Sequence, residues 1–188
     1  PKRCLVATAA FGNELARPVQ FLREFRDEIV MKTFAGSSFM KAFNMWYYSW
    51  APYVAQAEWS CEPFRQAVKY AIYPMIGILY VSANVCQSFS FSPEVGVILA
   101  GIVASSLIGL VYFTPIAISV ALITRRRISR GAAKASVLTW LLALIGTAIS
   151  VALQIPQVAM AFTSMLVLTT SMVATISLTS AITRRLRS

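Results

Sequence analysis

Apolar residues are distributed along this chain in two ways. In the first sixty residues they recur at helical spacing among charges, and beyond residue 95 they form long unbroken runs. The longest run, 95–124, reads VGVILAGIVASSLIGLVYFTPIAISVALIT and holds 30 residues without a charge before Arg125, Arg126 and Arg127. A helix of that length extends about 45 Å at ~1.5 Å per residue, enough for a bilayer core of about 30 Å. Residues 135–155 and 158–183 read as two further spans, separated by QIPQ with Pro156 placed to open a helix. Residues 70–93 are also free of charge but contain Pro74, Gly77, Ser82, Asn84 and Gln87. They read as a fourth span or as a re-entrant segment. Asn84 and Gln87 need hydrogen-bonding partners in lipid and are expected to face another helix.

In the first half, residues 17–33 read as a helix. Pro18 suits its first turn, Val19, Leu22, Phe25 and Ile29 share one face, and Arg23 and Asp27 stand i,i+4 on the polar side. AGSS at 35–38 reads as a break, followed by a second amphipathic helix on which Phe39, Phe43, Trp46 and Trp50 stack. Trp46, Tyr47, Trp50 and Tyr53 are of the types that gather at a membrane–water boundary. Residues 38–59 are therefore expected to form an interfacial collar lying on the bilayer, with a small soluble helical core as the alternative. The pattern as a whole predicts an all-α integral membrane helical bundle. Three or four transmembrane helices (about 70–93, 95–124, 135–155 and 158–183) occupy 70–188, behind an amphipathic, interfacial helical region at 1–69.

Composition fits this pattern. The chain is 57% hydrophobic and 13% charged, against about 25% charged for a soluble domain. The net charge of +10 does not point to nucleic acid, because all seven acids precede residue 95 and the later basic residues cluster at the ends of apolar runs. Arg125, Arg126, Arg127, Arg184 and Arg185 are the candidates for lipid headgroups. The basic loop and basic tail flank one hairpin and so share a side. The positive-inside rule places that side, with the C-terminus, in the cytoplasm of a multi-pass protein of the cell membrane. Four spans would put residues 1–69 on the same side, and three would put them outside.

Within 95–124, Gly101, Ser105 and Gly109 recur every four residues, a spacing that lets two helix backbones approach closely. Pro115 is expected to kink that helix. The many hydroxyls of 158–183 are expected to bond to carbonyls of their own helix or a neighbour. Chemistry-bearing groups are sparse. The chain has no histidine and three cysteines, Cys4, Cys61 and Cys86, without a metal-ligand spacing. Cys4 and Cys61 could form a disulfide in an oxidising compartment; free thiols are the alternative. No ionisable residue interrupts the runs after 95, no serine has a neighbouring base, and no glycine-rich phosphate loop is present. The residues therefore predict no catalytic site, no metal, no cofactor beyond structural lipids and no small-molecule substrate.

One stretch carries a resemblance. CLVATAAFG at 4–12 resembles the Cys-Phe-Ile-Ala-Thr-Ala-Ala-Tyr-Gly signature of the CFI-box C-terminal domain family, departing conservatively at Leu5 and Val6. The likeness continues through VQFLREFRD at 19–27 and the aromatic FNMWYYSWAP at 43–52, and covers about residues 4–90. It implies the C-terminal part of an exported bacterial or archaeal protein ending in a hydrophobic segment, with no enzymatic activity attached. KTFAGSSFM at 32–40 and the extra hydrophobic half resemble versions from ammonia-oxidising archaea, which implies the copper-dependent ammonia monooxygenase complex as one host. The chain opens on Pro1 without a secretory hydrophobic region, so a processed product or the tail of a longer chain is expected. Two functions follow. One is a non-catalytic accessory subunit that binds other membrane protein subunits and lipids. The other is the membrane anchor of a processed exported protein. A small channel or transporter is a third reading that lacks coupling residues.

Overall fold

The computed structural model describes residues 4–89, 91–124 and 130–185, all of them in helices or short connections. Helix α1 is Leu5–Phe11 and ends at Gly12, whose φ of +71° suits a glycine. Helix α2, Arg17–Glu24, has Pro18 in its first turn and continues as a π-helical turn, Phe25–Val30. Helix α3 is Phe34–Ser60 and α4 is Glu62–Ser88, with only Cys61 between them. Helix α5, Pro93–Ile108, passes through a second π-helical turn, Gly109–Phe113, into α6, Thr114–Thr124. Helices α7, Arg130–Ala152, and α8, Pro156–Arg185, form a hairpin.

Among the described residues, three helices are long and apolar enough to cross a membrane: Pro93–Thr124 with 32 residues, Gly131–Ala152 with 22 and Pro156–Thr183 with 28. Helix α4 is not among them, its apolar character diluted by Pro74, Ser82, Asn84 and Gln87. The chain is thus a helical bundle built on three such helices.

Three pairs of contacts set the directions. Ser171 and Thr175 of α8 bond to the carbonyls of Ser105 and Gly109, so α8 runs parallel to α5. Trp140 bonds to Thr170, and a Cβ on Gly146 would meet the Phe162 ring, so α7 runs antiparallel to α8. Gly96 lies against Cys86 while the Tyr112 hydroxyl donates to the Ala71 carbonyl, so α4 runs antiparallel to α5. The end of α6, the start of α7 and the end of α8 therefore share one end of the bundle. Arg125, Arg126 and Arg127 lie outside the described residues, as do the side chains of Arg184 and Arg185.

The first half departs from expectation at residues 35–38. AGSS at 35–38 is helical, and the break falls at Thr33, whose hydroxyl accepts from the Gly36 N–H at 3.1 Å. Residues 38–59, read as the collar, lie within helix α3. That helix packs against α8, α1, α4 and α5, and its buried residues include Ala35, Gly36, Ser38 and Ala51. Helix α4 runs continuously through 69–70. The core of the N-terminal layer is Ala7, Ala10, Val19 and Ile72, flanked by Val6, Phe11 and Leu22. The small residues of the ATAA segment let α1 settle between α3 and α4.

Candidate functional site

The candidate site is the seam where the α5–α6 helix meets α8. Gly109 is buried, and a Cβ there would stand 2.6 Å from the Ser171 carbonyl oxygen and 3.0 Å from its Cα. Only glycine admits this approach. The Gly109 carbonyl accepts from the Thr114 N–H, from the Thr114 hydroxyl at 3.1 Å and from the Thr175 hydroxyl at 3.0 Å. Four residues earlier, the Ser105 carbonyl accepts from the Ser171 hydroxyl at 2.9 Å. Pro115 explains why the backbone is open here. Its ring has no N–H and crowds the preceding turn, and the helix absorbs this as the π-helical turn Gly109–Phe113. Where a kink is expected at Pro115, the helix carries this π-helical turn.

Of the three residues read as a packing stripe, Ser105 and Gly109 meet α8 of the same chain, and Gly101 meets nothing: a Cβ there has no atom within 4 Å. Most of the α8 hydroxyls bond as expected to the carbonyl one turn back, such as Thr163 to Ala159 and Thr170 to Leu166, while the buried Thr179 hydroxyl has no partner among the described residues. Ser171 and Thr175 reach across as well. Asn84 and Gln87 depart from expectation. Both are exposed, and Asn84 bonds only back to the Tyr80 carbonyl at 2.9 Å.

The aromatic residues divide. Trp46 and Tyr53 are exposed, at 59% and 73%. Tyr47 is half-buried, and its hydroxyl accepts the Val6 N–H at 3.0 Å, satisfying a donor at the start of α1. Burial pushes that hydroxyl up to about 12, the Val6 N–H opposing. The Trp50 indole N–H is buried without an acceptor among the described residues. Cys4 and Cys61 are free thiols, Cys4 half-buried at the start of α1 and Cys61 exposed at the α3–α4 corner. Burial pushes the Cys4 thiol up, with Arg26 and Arg23 opposing. Arg23 pairs with Glu14 at 3.0 Å rather than with Asp27, which Arg26 engages at 2.7 Å.

Two carboxylates escaped the sequence reading. Glu94, in the first turn of α5, accepts from the N–H groups of Phe34 and Ala35 at 2.5 and 3.0 Å. With Thr33 on Gly36, this satisfies the exposed donors at the start of α3. Glu58, near the end of α3, is 1% exposed, and neither carboxylate oxygen has a hydrogen-bond partner among the described residues. Burial pushes it up to about 7, and Arg65 opposes only in part. Among the described residues no group of three or more His, Cys, Asp or Glu could hold a metal ion.

The fold and the seam define a helical bundle with three helices long and apolar enough to span a membrane, closed by small-residue and hydroxyl contacts. Comparison with known protein families, with curated proteins and with solved structures finds no match.

Proposed function

We propose that this chain is a non-catalytic accessory subunit of a larger membrane protein complex, held in the bilayer by its apolar helices and joined to its neighbours by helix packing. One observation carries the reading: the bundle has two different sides at the same depth. On one side α7 exposes Leu138, Leu141, Leu142, Ile145 and Ile149, side chains that lipid tails accommodate. On the other side lie α1 and α2. Phe11 touches Tyr73 and Phe21 touches Tyr80, so this layer rests on the middle of α4. That part of α4 lies against the apolar α5–α6 helix, between the Gly96–Cys86 and Tyr112–Ala71 contacts.

Arg17, Glu24, Asp27 and Glu28 are exposed on that layer. A charge at the bilayer centre costs about 2.5–3.5 kcal/mol even on the most permissive scale. Lipid is a poor neighbour for this face, and protein is a good one. The basic residues that in sequence follow α6 and close α8 favour a cytoplasmic placement of the end at which these two helices finish. The test is extraction of native membranes in a gentle detergent, followed by native mass analysis. Stoichiometric copurification with other polypeptides is expected, and recovery solely as a lone 20.6 kDa chain overturns the reading.

A further inference from the structure

The corner between α3 and α4 is docked on the bundle through a carboxyl group. From Tyr53 to Phe64 every residue is exposed or half-buried except Glu58, which is 1% exposed. Neither of its carboxylate oxygens has a hydrogen-bond partner among the described residues. Buried polar groups are nearly always paired, and an unpaired one calls for a reason. The charges around Glu58 do not compensate it. On α4, Arg65 opposes the burial in part, but its guanidinium is paired with Glu62. Lys69 lies over the Phe11 ring instead, and neither it nor Lys134 of α7 acts on Glu58. Helices α1 and α8 bring no charged side chain among the described residues. Glu94 of α5 is held by the Phe34 and Ala35 N–H groups at the opposite end of α3. The charges of the π-helical turn 25–30 lie beside that same end, where the Val30 carbonyl covers Gly36. Tyr47, on α3 itself, is occupied by the Val6 N–H.

The segment that carries Glu58 is loosely tied at both ends. Pro52 opens it without an N–H to give to the backbone ladder of α3, and such a site lets a helix bend. A single residue, Cys61, joins it to α4 in extended conformation, with φ −137° and ψ 101°. Within 53–60 only Val54 and Ala55 are even half-buried beside Glu58. We infer that Glu58 is a proton-operated latch for the α3–α4 corner. With its proton, the side chain docks the corner on the bundle. On losing the proton to solvent, the last two turns of α3 swing out about Pro52 and deliver the carboxylate to water. Linkage sets the direction. Burial lets the docked carboxyl hold its proton up to about 7, against 4.5 for a solvated one. The docked state binds the proton more tightly, so rising pH favours release. Above 7 both states are ionised and the balance no longer moves, so the change falls between these two values. The corner carries Tyr53, Trp59 and Phe64, all exposed, so the surface it offers to its surroundings changes with pH. The inference stands whichever polypeptides accompany the chain.

The test is a distance measurement between paired spin labels on the full chain in lipid vesicles. Cys4 and Cys86 are replaced by serine. One label is placed on the native Cys61, which is exposed at the corner, and the other on Leu168→Cys, exposed on α8. Between pH 4 and pH 9 the distance distribution is expected to shift and broaden, with half of the change reached between 4.5 and about 7. Glu58→Gln, which has no proton to lose, is expected to keep the docked distribution throughout. A second pair, Leu122→Cys of α6 with Ile149→Cys of α7 and Cys61 also replaced, reports on the rest of the bundle and is expected not to move. A native chain with the same distribution at pH 4 and pH 9 overturns the inference, and this result needs no substitution at Glu58. A change that persists in Glu58→Gln also overturns it, as does one that the α6–α7 pair shows equally.

Discussion

Glu58→Gln is the sharpest probe of the bundle. The Glu58 side chain is buried at the last turns of α3, with both oxygens lacking a hydrogen-bond partner among the described residues, so the fold favours its neutral form. Burial raises its folded-state pKa to about 7 from 4.5, Arg65 opposing in part. Because the folded state binds this proton more tightly than the unfolded chain, proton binding stabilises the fold. The contribution is fully present below pH 4.5 and is lost as pH rises through 7. The gap between the two values corresponds to about 3 kcal/mol at pH well above 7. A glutamine in its place cannot ionise and escapes this loss. The substituted protein should match the native chain at pH 4 and exceed it at pH 9, where the gain corresponds to about 6–12 °C in Tm. Thermal unfolding of both proteins in one detergent, followed by tryptophan fluorescence at closely spaced pH values, measures the difference curve. A difference that does not change with pH would refute the reasoning, as would a Glu58→Gln protein less stable than the native chain at pH 9.

Other expectations follow from the same structure. Gly109→Ala places a methyl 2.6 Å from the Ser171 carbonyl oxygen and should cost about 1–3 kcal/mol by overpacking. Gly101→Ala meets open space and should leave Tm unchanged or slightly raised, so the pair of melts tests the seam. Glu94→Gln should cost about 1 kcal/mol. Amide exchange should then quicken at Phe34 and Ala35 but not at Gly36, which Thr33 holds. Tyr47→Phe removes the acceptor of the Val6 N–H. A loss of about 1 kcal/mol should appear as faster exchange in α1 while α7 and α8 keep their protection.

What could be read from the residues in order was whatever depends on near neighbours. The three apolar runs became the three helices able to span a membrane. Pro115 disturbed the central helix as its missing N–H requires, and the α8 hydroxyls found carbonyls one turn back. What escaped depends on distant segments. AGSS at 35–38 holds a glycine and two serines and reads as a break, yet Gly36 serves inside a helix, because a Cβ there would collide with the Val30 carbonyl folded over the helix start. The cap of that helix comes from Glu94, 60 residues on. Arg23 had an acid at i+4 and chose Glu14 instead. Glu58 had one local sign, its place seven residues after buried Ala51 on the same face of α3. Of the seam, Ser105 and Gly109 were legible by spacing, whereas their partners Ser171 and Thr175 were lost among many similar hydroxyls.

Gly101, Gly109 and Gly77 show what spacing alone leaves open. Gly101 and Gly109 stand eight residues apart in one stripe, and only Gly109 meets a backbone. The reason lies in the partner helix. Ser171 and Thr175 present hydroxyls that reach the carbonyls of Ser105 and Gly109, and these bonds fix where α8 comes closest. The seam of small residues in α5 is therefore spent inside the chain, with the Gly109 carbonyl already accepting three donors. A helix from outside would find little left to bond there. Helix α4 is in the opposite condition, with Gly77 open, Gln87 exposed and Asn84 held only by its own helix. Small-residue spacing marks where a backbone can be approached. Whether the approach has been made depends on which carbonyls and amides are still free.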